Sequence, residues 1–475
     1  MFSTNIQDRF HNYLSYPLIK SQYQVLSFKE IWDLSDRYAK HLLNYEGCRV
    51  ALLPVPFIET LILINSLIKL HAEIALFSLH EPWETISKNM EELKVQALFC
   101  PDEYLKKISD TPVSVISIKE IDKLNPSIPL KIKNTKRICE NSVFIIMTSG
   151  SSASPKKVVL TLDNVLTNAH YSNRNLPFQY GDTWLMSLPL FHVSGLSTWF
   201  RAIESGGSVY LPDKSHRWWE IDLPTEITHI SVVSTIMKRL LDRKHLSSHS
   251  GMKGILLGGG PIPGGIVRAC YSMGLPLYTT YGLTEMASQT TTTSANDTLE
   301  HLLTAGKPLI PNTVQIEKDG TISVRGQCRF LGYLIDNEIN QPFDKEGWFN
   351  TKDLGEWTSD NYLCISGRKD NVFICGGENI QPEEIENFIM SSGYVDKAVV
   401  IPVKDEEFGH IPVAFIKFNE GNMEKQLNNY LKEKVSGLKI PRAFYPFPEG
   451  FEEKNIKILR KELNYWINHI QKEKD

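Results

Sequence analysis

The feature that most constrains this chain is a repeated alternation of short apolar runs with segments of helical spacing across its first three hundred residues. CRVALLPV is short and apolar and reads as a strand; a helix at about 55 to 70, a strand at 72 to 77, a helix at about 81 to 93 and the strand VQALFC follow it. Continuous apolar strands joined by helices are expected of a sheet covered on both faces, so this part reads as α/β layers. Residues 26 to 45 carry Leu26, Ile31, Leu34, Tyr38 and Leu42 at near-helical spacing. VFIIMTSGSS runs a strand into a polar turn, and DNVLTNAHYSNRNL supplies a helix for which Asp163 is the expected cap. HISVVSTIMKRLL and MKGILLGGGPIP continue the alternation, whereas TTTTSAND at 290 to 297 reads as a polar loop.

The texture changes after about residue 310, where TVQIEKDGTISVRG places a DG turn between alternating segments and predicts a hairpin-rich subdomain. It changes again after GRKDN at 367 to 371, where EEIENFIM and EKQLNNYLKEKV read as helices and KAVVIPV and IPVAFIKF as strands. The expected division is a domain over 1–369 and a smaller α+β domain over 370–475, which suits a chain of 475 residues.

Charge and cysteine narrow the function. Lys plus Arg at 51 against Asp plus Glu at 55 gives a formal net charge of -4, so no bulk cationic field exists for nucleic acid. The seven cysteines are scattered without a C-x-x-C pair, which excludes a zinc-ribbon pattern and points to a reducing, cytoplasmic setting. LILINSLIKLHAEIALF at 61 to 77 is broken by Lys69, His71 and Glu73 and falls short of the ~20 apolar residues of a membrane span. The sequence leaves a homo-oligomer open.

Five segments carry chemistry. TSGSSASPKK at 148 to 157 follows an apolar strand; Thr148, Ser149, Ser151 and Ser152, the flexible Gly150 and Lys156 can surround polyphosphate with donors, or form a Ser-rich surface turn. It is not a Walker A loop, since no G-x-x-x-x-G-K-[ST] occurs. GGGPIPGG at 258 to 265 follows the strand ILL and either lets backbone approach a flat ligand or makes a plain turn. YTTYGLTEMASQ places Tyr281, Gly282, Thr284 and Glu285 together, and Glu285 can offer oxygen to a hard divalent ion or be a solvated residue. WFNTKDLG supplies Asp353, able to accept two ribose hydroxyls, and GRKDN supplies Arg368 as a fixed fork of donors. The basic NIKILRKEL at 455 to 463 carries Lys457 between Lys454 and Lys461, which alone would be a solvated face.

In this order, across nearly the whole chain, these segments resemble the adenylate-forming superfamily of acyl-CoA synthetases, luciferases and peptide-synthetase adenylation domains. The resemblance implies an α/β adenylate-forming fold, a large layered-sheet N-terminal domain with a small mobile C-terminal domain. It also implies a two-step reaction: a carboxylic acid attacks the ATP α-phosphate to give acyl-adenylate and pyrophosphate, then a thiol, commonly coenzyme A, displaces AMP. Carried over, Thr148 to Lys156 resembles the phosphate loop, and Gly258, Gly259, Gly260 and Pro261 resemble the segment lining adenine. Tyr281, with Gly282 beside it, would pack on the purine, Thr284 would contact the α-phosphate, and Glu285 would hold Mg2+. Asp353 and Arg368 match the ribose pair, Asp370 the hinge, and Lys457 the adenylation lysine.

A cation inserted between two mutually repelling anions and later withdrawn explains why such a lysine sits on a mobile domain. His192, in LPLFHVSG, matches a family position near the acyl pocket, which implies a catalytic role for it beside Lys457 and Thr284, though its spacing alone fits a satisfied core histidine. Three departures from the family pattern stand out: Ala153 and Lys157 replace glycines of TSGTTGKPKG, with Lys157 expected to add charge near the nucleotide, and Ile456 replaces the glycine before Lys457.

THISVVSTIMKRLLDRKHLSS, LLGGGPIP, LTAGKPLIP and ICGGENIQPEEIE are most similar to the branch of this family that makes the CoA thioester of 2-succinylbenzoate in menaquinone synthesis. On that reading Ser194, Gly195, Leu196 and Ser231 to Thr235 are candidate pocket lining, and Gly376 and Gly377 would let backbone approach pantetheine. A second substrate carboxylate needs a buried donor or cation. Arg201 is one candidate, against its reading as a surface or interdomain arginine. Another acyl- or aryl-CoA synthetase, an amino-acid adenylating enzyme and an inactive structural homologue are the alternatives.

Overall fold

The computed structural model describes residues 6–108, 111, 113–124, 141–148, 155–213, 217–243, 246, 251–419, 421, 423–435, 437–451, 460 and 462–467. Two large sheets dominate the N-terminal part. One is nine-stranded, with six mutually parallel strands at Pro17–Lys20, Ser208–Tyr210, Thr183–Leu185, His229–Val232, Gly254–Leu257 and Leu277–Leu283. The other is eight-stranded, and its parallel strands include Arg49–Leu52, Glu73–Leu76 and Ala97–Cys100. The helix Leu162–Asn175 begins on Thr161, whose hydroxyl accepts from the Asn164 amide while Asn164 caps back. Asp163 is therefore not the cap; it sits in the first turn, where its charge meets the positive end of the helix.

Strand period two distributes the core among layers. Val50, Leu52, Ile74, Leu76, Phe144 and Ile146 face the same central core as Ile19, Trp184, Met186 and Val209 of the other sheet. Between them run Ile58–Lys69 and Val193–Ser205, buried on nearly every side, as expected of helices enclosed by two sheets. Ala51, Ala75, Leu98 and Ile145 point outward onto Trp83–Leu93, and Ile230, Val232, Ile255 and Leu257 onto Ser234–Asp242 and Gly264–Ser272. Helix and sheet thus alternate through five layers.

The stretch expected to be a polar loop at 290 to 297 is in part a strand. Ser288–Thr292 pairs antiparallel with Leu277–Leu283, and Thr290, Thr291, Thr292 and Thr293 are buried. β-branched threonine suits a strand, and three of the four hydroxyls find partners: Thr291 donates to Ala305 O at 2.6 Å, Thr292 pairs with Thr280 and Thr293 with Thr279, while the buried Thr290 hydroxyl has no hydrogen-bond partner among the described residues.

Val314–Ile316, Thr321–Val324, Phe349–Trp357 and Leu363–Arg368 form an antiparallel four-stranded sheet, as the DG turn predicts. After Lys369–Asn371 a separate sheet is built from Phe373–Cys375, Glu378–Ile380, Val395–Asp405, Gly409–Phe418 and Phe444–Pro446. It has its own core, in which Ile385, Ile389, Val400, Ala414, Leu427 and Leu431 meet. Among the described residues no helix is long and apolar enough to cross a membrane.

Candidate active site

The parallel strands ending at Val232, Leu257 and Leu283 deliver their following segments to one edge of the nine-stranded sheet, the side on which open α/β sheets bind ligands. Gly258 begins the segment after Leu257, and a Cβ there would lie 2.5 Å from Thr280 Cγ2. Gly259 has φ +81, Gly260 faces open space, and the Pro261 carbonyl accepts from Ser234 Oγ at 2.9 Å. Gly282 marks a register shift against the neighbouring strand; its Cβ would stand 2.2 Å from Ser288 O. Glycine is required there by contact rather than by φ.

Beside it, Tyr281 donates its hydroxyl to Asp353 Oδ2 at 2.6 Å, while Arg368 Nη1 donates to Asp353 Oδ1 at 2.7 Å. Asp353 and Arg368 lie directly opposite each other on adjacent antiparallel strands, so the pair is fixed by sheet register. Burial and the Asp353 charge raise the Tyr281 phenol well above its ordinary pKa, which keeps it a donor.

Thr284 and Glu285 occupy the tight turn that follows, closed by the Ala287 amide on Thr284 O at 3.0 Å. Ala287 at φ 56 and Ser288 at φ 137 are non-glycine residues in the left-handed region, a local strain held by the buried strand behind them. Glu285 Oε1 accepts from the Tyr333 hydroxyl at 2.7 Å, and Lys156 Nζ lies 4.8 Å from the Tyr333 ring centroid. Thr148 and Lys156 face each other on antiparallel strands, bringing the two ends of the serine-rich segment together. Ser149, Gly150, Ser151, Ser152, Ala153, Ile456 and Lys457 lie outside the described residues.

Four readings change in the structure. Lys157 adds no free charge near the nucleotide segment, since its ammonium pairs with Glu92 on the opposite side of the strand from Lys156. His192 is not a core histidine. It stands at the N-terminus of Val193–Ser205 with its ring exposed beside Phe191, and partial desolvation with the nearby His80 charge lowers its pKa. Among the described residues nothing links it directly to the Tyr281–Asp353–Arg368 group.

Arg201 is neither surface nor interdomain. It is 1% exposed, with Nη2 on Gln289 Oε1 at 2.8 Å and the Trp184 ring centroid 4.8 Å away. Its Nε has no partner, and among the described residues no carboxylate lies within ion-pairing distance. Burial lowers its pKa to about 9. The Ser231 side chain, expected to line the pocket, is instead buried as acceptor to Trp184 Nε1 at 3.1 Å.

Tyr333 was missed from the sequence because GYL carries no charge or glycine run to mark it, and its two contacts, Lys156 and Glu285, come from segments far apart in the chain. Gln289 was missed because it follows the recognisable YGLTE.

Residues 6–334 match the AMP-binding enzyme family model, and residues 384–455 match the AMP-binding enzyme C-terminal domain. The chain belongs to the AMP-binding enzyme family. It has the α/β adenylate-forming fold of that family, a large N-terminal part with a smaller C-terminal one. A 2-succinylbenzoate–CoA ligase of Bacillus cereus is 31% identical over 468 residues, covering 95% of this chain and 96% of the relative. That of Bacillus cytotoxicus is 32% identical over 434 residues, covering 88% of each. Among solved structures, o-succinylbenzoate coenzyme A synthetase (MenE) from Bacillus subtilis in complex with ATP and magnesium ion superposes with a TM-score of 0.83 at 27% identity, covering 96% of this chain and 98% of that one.

Proposed function

We propose that this family member is an AMP-forming acid–thiol ligase that activates 2-succinylbenzoate with ATP and Mg2+ and passes the acyl group to coenzyme A, a step of menaquinone biosynthesis in the cytoplasm. The observation that carries the substrate is Arg201, a buried guanidinium with an unpartnered Nε. Holding an uncompensated charge inside costs several kcal/mol, a cost that the second carboxylate of an aromatic dicarboxylate would offset. The relatives named above are 2-succinylbenzoate–CoA ligases, which supports the same substrate.

Each side chain then has a task. Asp353 and Arg368 hold the ribose, Gly258 to Pro261 line adenine beside Tyr281, and Thr284 donates to the α-phosphate. Thr148, Ser149, Gly150, Ser151, Ser152 and Lys156 surround the β- and γ-phosphates. Glu285 fits a hard cation: it is a carboxylate with one oxygen fixed by Tyr333 and the other available. Mg2+ would neutralise charge on the phosphates. A carboxylate oxygen of the acid bonds to the α-phosphorus as the bond to pyrophosphate breaks, with Lys457 offsetting charge on the oxygens. The CoA sulfur then bonds to the acyl carbon, AMP leaves with the shared electron pair, and the thiol proton is released. The separate C-terminal core supports a domain division at 369/370.

Steady-state kinetics of Arg201→Leu test this reading. The expected result is a loss of about a hundredfold in kcat/KM for 2-succinylbenzoate, the scale of removing one partner of a buried charge pair, with KM for ATP near wild type. Unchanged kcat/KM in the folded variant contradicts the assignment. Wild-type preference for benzoate or a fatty acid would favour another acyl-CoA synthetase.

A further inference from the structure

We propose that Tyr333 is a positioning residue for the phosphate side of this site, its hydroxyl orienting the Glu285 carboxylate and its ring holding Lys156. The inference rests on the reading above, in which Glu285 meets Mg2+ and Lys156 meets phosphate. Tyr333 lies on Gly332–Ile335, a strand of the eight-stranded sheet, whereas Glu285 follows a strand of the nine-stranded one. The phenol therefore links two sheets at the point where both deliver candidate ligands.

Three observations fix the ring. It pairs through its strand with Val158, two residues beyond Lys156, so both side chains project from one face of that sheet. Phe330 packs edge-on at 4.9 Å and Phe349 at 6.3 Å between ring centroids. Gly332 lets its strand run close to the neighbouring one, since a Cβ there would stand 2.4 Å from Asn340 O. The hydroxyl is thus delivered to Glu285 Oε1 at 2.7 Å by a ring with no room to turn away.

A carboxylate has about four lone-pair sites, so one phenol bond sets the plane of Glu285 while leaving the second oxygen free for a cation. On the other side, the Lys156 ammonium sits over the electron-rich face at 4.8 Å, an attraction weak enough for a phosphate to displace. One tyrosine thereby presets the spacing between the metal carboxylate and the phosphate cation. A purely structural tyrosine would need only some acceptor for its hydroxyl; this one has the carboxylate itself.

The test is Tyr333→Phe, which keeps the ring and its packing and removes only the donor. Calorimetric binding of ATP across a Mg2+ series, without acid or CoA, reads the site independently of turnover. The expected result is a Mg2+ requirement raised about tenfold, the scale seen when a metal ligand loses its orienting partner, with ATP affinity recovered at high Mg2+. In a double-mutant cycle with Glu285→Gln, the hydroxyl should have no further effect once the carboxylate is gone. An unchanged Mg2+ dependence in folded Tyr333→Phe, or strict additivity in the cycle, overturns the proposal while leaving the ligase reading intact. A wild type that binds no ATP at any Mg2+ concentration overturns both.

Discussion

His229, stacked on the Trp184 ring that faces Arg201, shows how a single buried side chain sets pH behaviour. It is fully buried, stacked on Trp184 with centroids 5.1 Å apart, and Nε2 has no partner. Burial lowers its pKa from 6.5 to about 4. The folded protein then keeps it neutral while the unfolded chain takes up a proton below pH 6.5, so stability is full above 6.5 and falls as pH drops toward 4. Denaturant midpoints of wild type and His229→Gln from pH 7.5 to 4 should show a shallower decline for the variant; parallel curves would refute the assignment. Residues of this kind resist sequence reading. Glu285, Asp353 and Arg368 stood out through their motifs, whereas the burial of Arg201 and His229 depends on which helix or strand face meets which sheet.

At the scale of elements, the bulge between Leu277–Leu283 and Ser288–Thr292 places Tyr281 and Glu285 relative to one another. Gly282→Ala should cost about 1 to 3 kcal/mol through overpacking against Ser288 O, lower Tm and raise KM for ATP. Gly265→Ala, inside Gly264–Ser272 with open space at its Cβ, should hold or raise Tm by helix propensity. Equal Tm shifts in the two variants would show that the close approach does not matter. Most strands and helices were legible because apolar runs and helical spacing are local signals. The buried threonine strand was not: its hydroxyls make it polar by composition, and only hydrogen bonds with Thr279, Thr280 and Ala305 fit it to the core. The cap at Thr161 was misassigned because Asp163, also a good capping residue, stands two positions later.

Over the whole molecule, the change of texture after GRKDN foretold the separate C-terminal core, but not the contacts across to it. Lys238 pairs with Asp396 and Gln381 Nε2 donates to Arg368 O at 3.3 Å, while within the C-terminal part Arg460, three positions after Lys457, is held by Glu383 and Glu386. These tie Arg368, Lys238 and Arg460 to residues 13 to 158 positions away, a relation no local pattern carries. The most direct test of the account is mass-spectrometric analysis of purified protein incubated with ATP, Mg2+, CoA and 2-succinylbenzoate, benzoate or fatty acids. The account predicts succinylbenzoyl-CoA and AMP in equal amounts, with 2-succinylbenzoate strongly preferred. ADP as product, or equal turnover of acids lacking the second carboxylate, would contradict it.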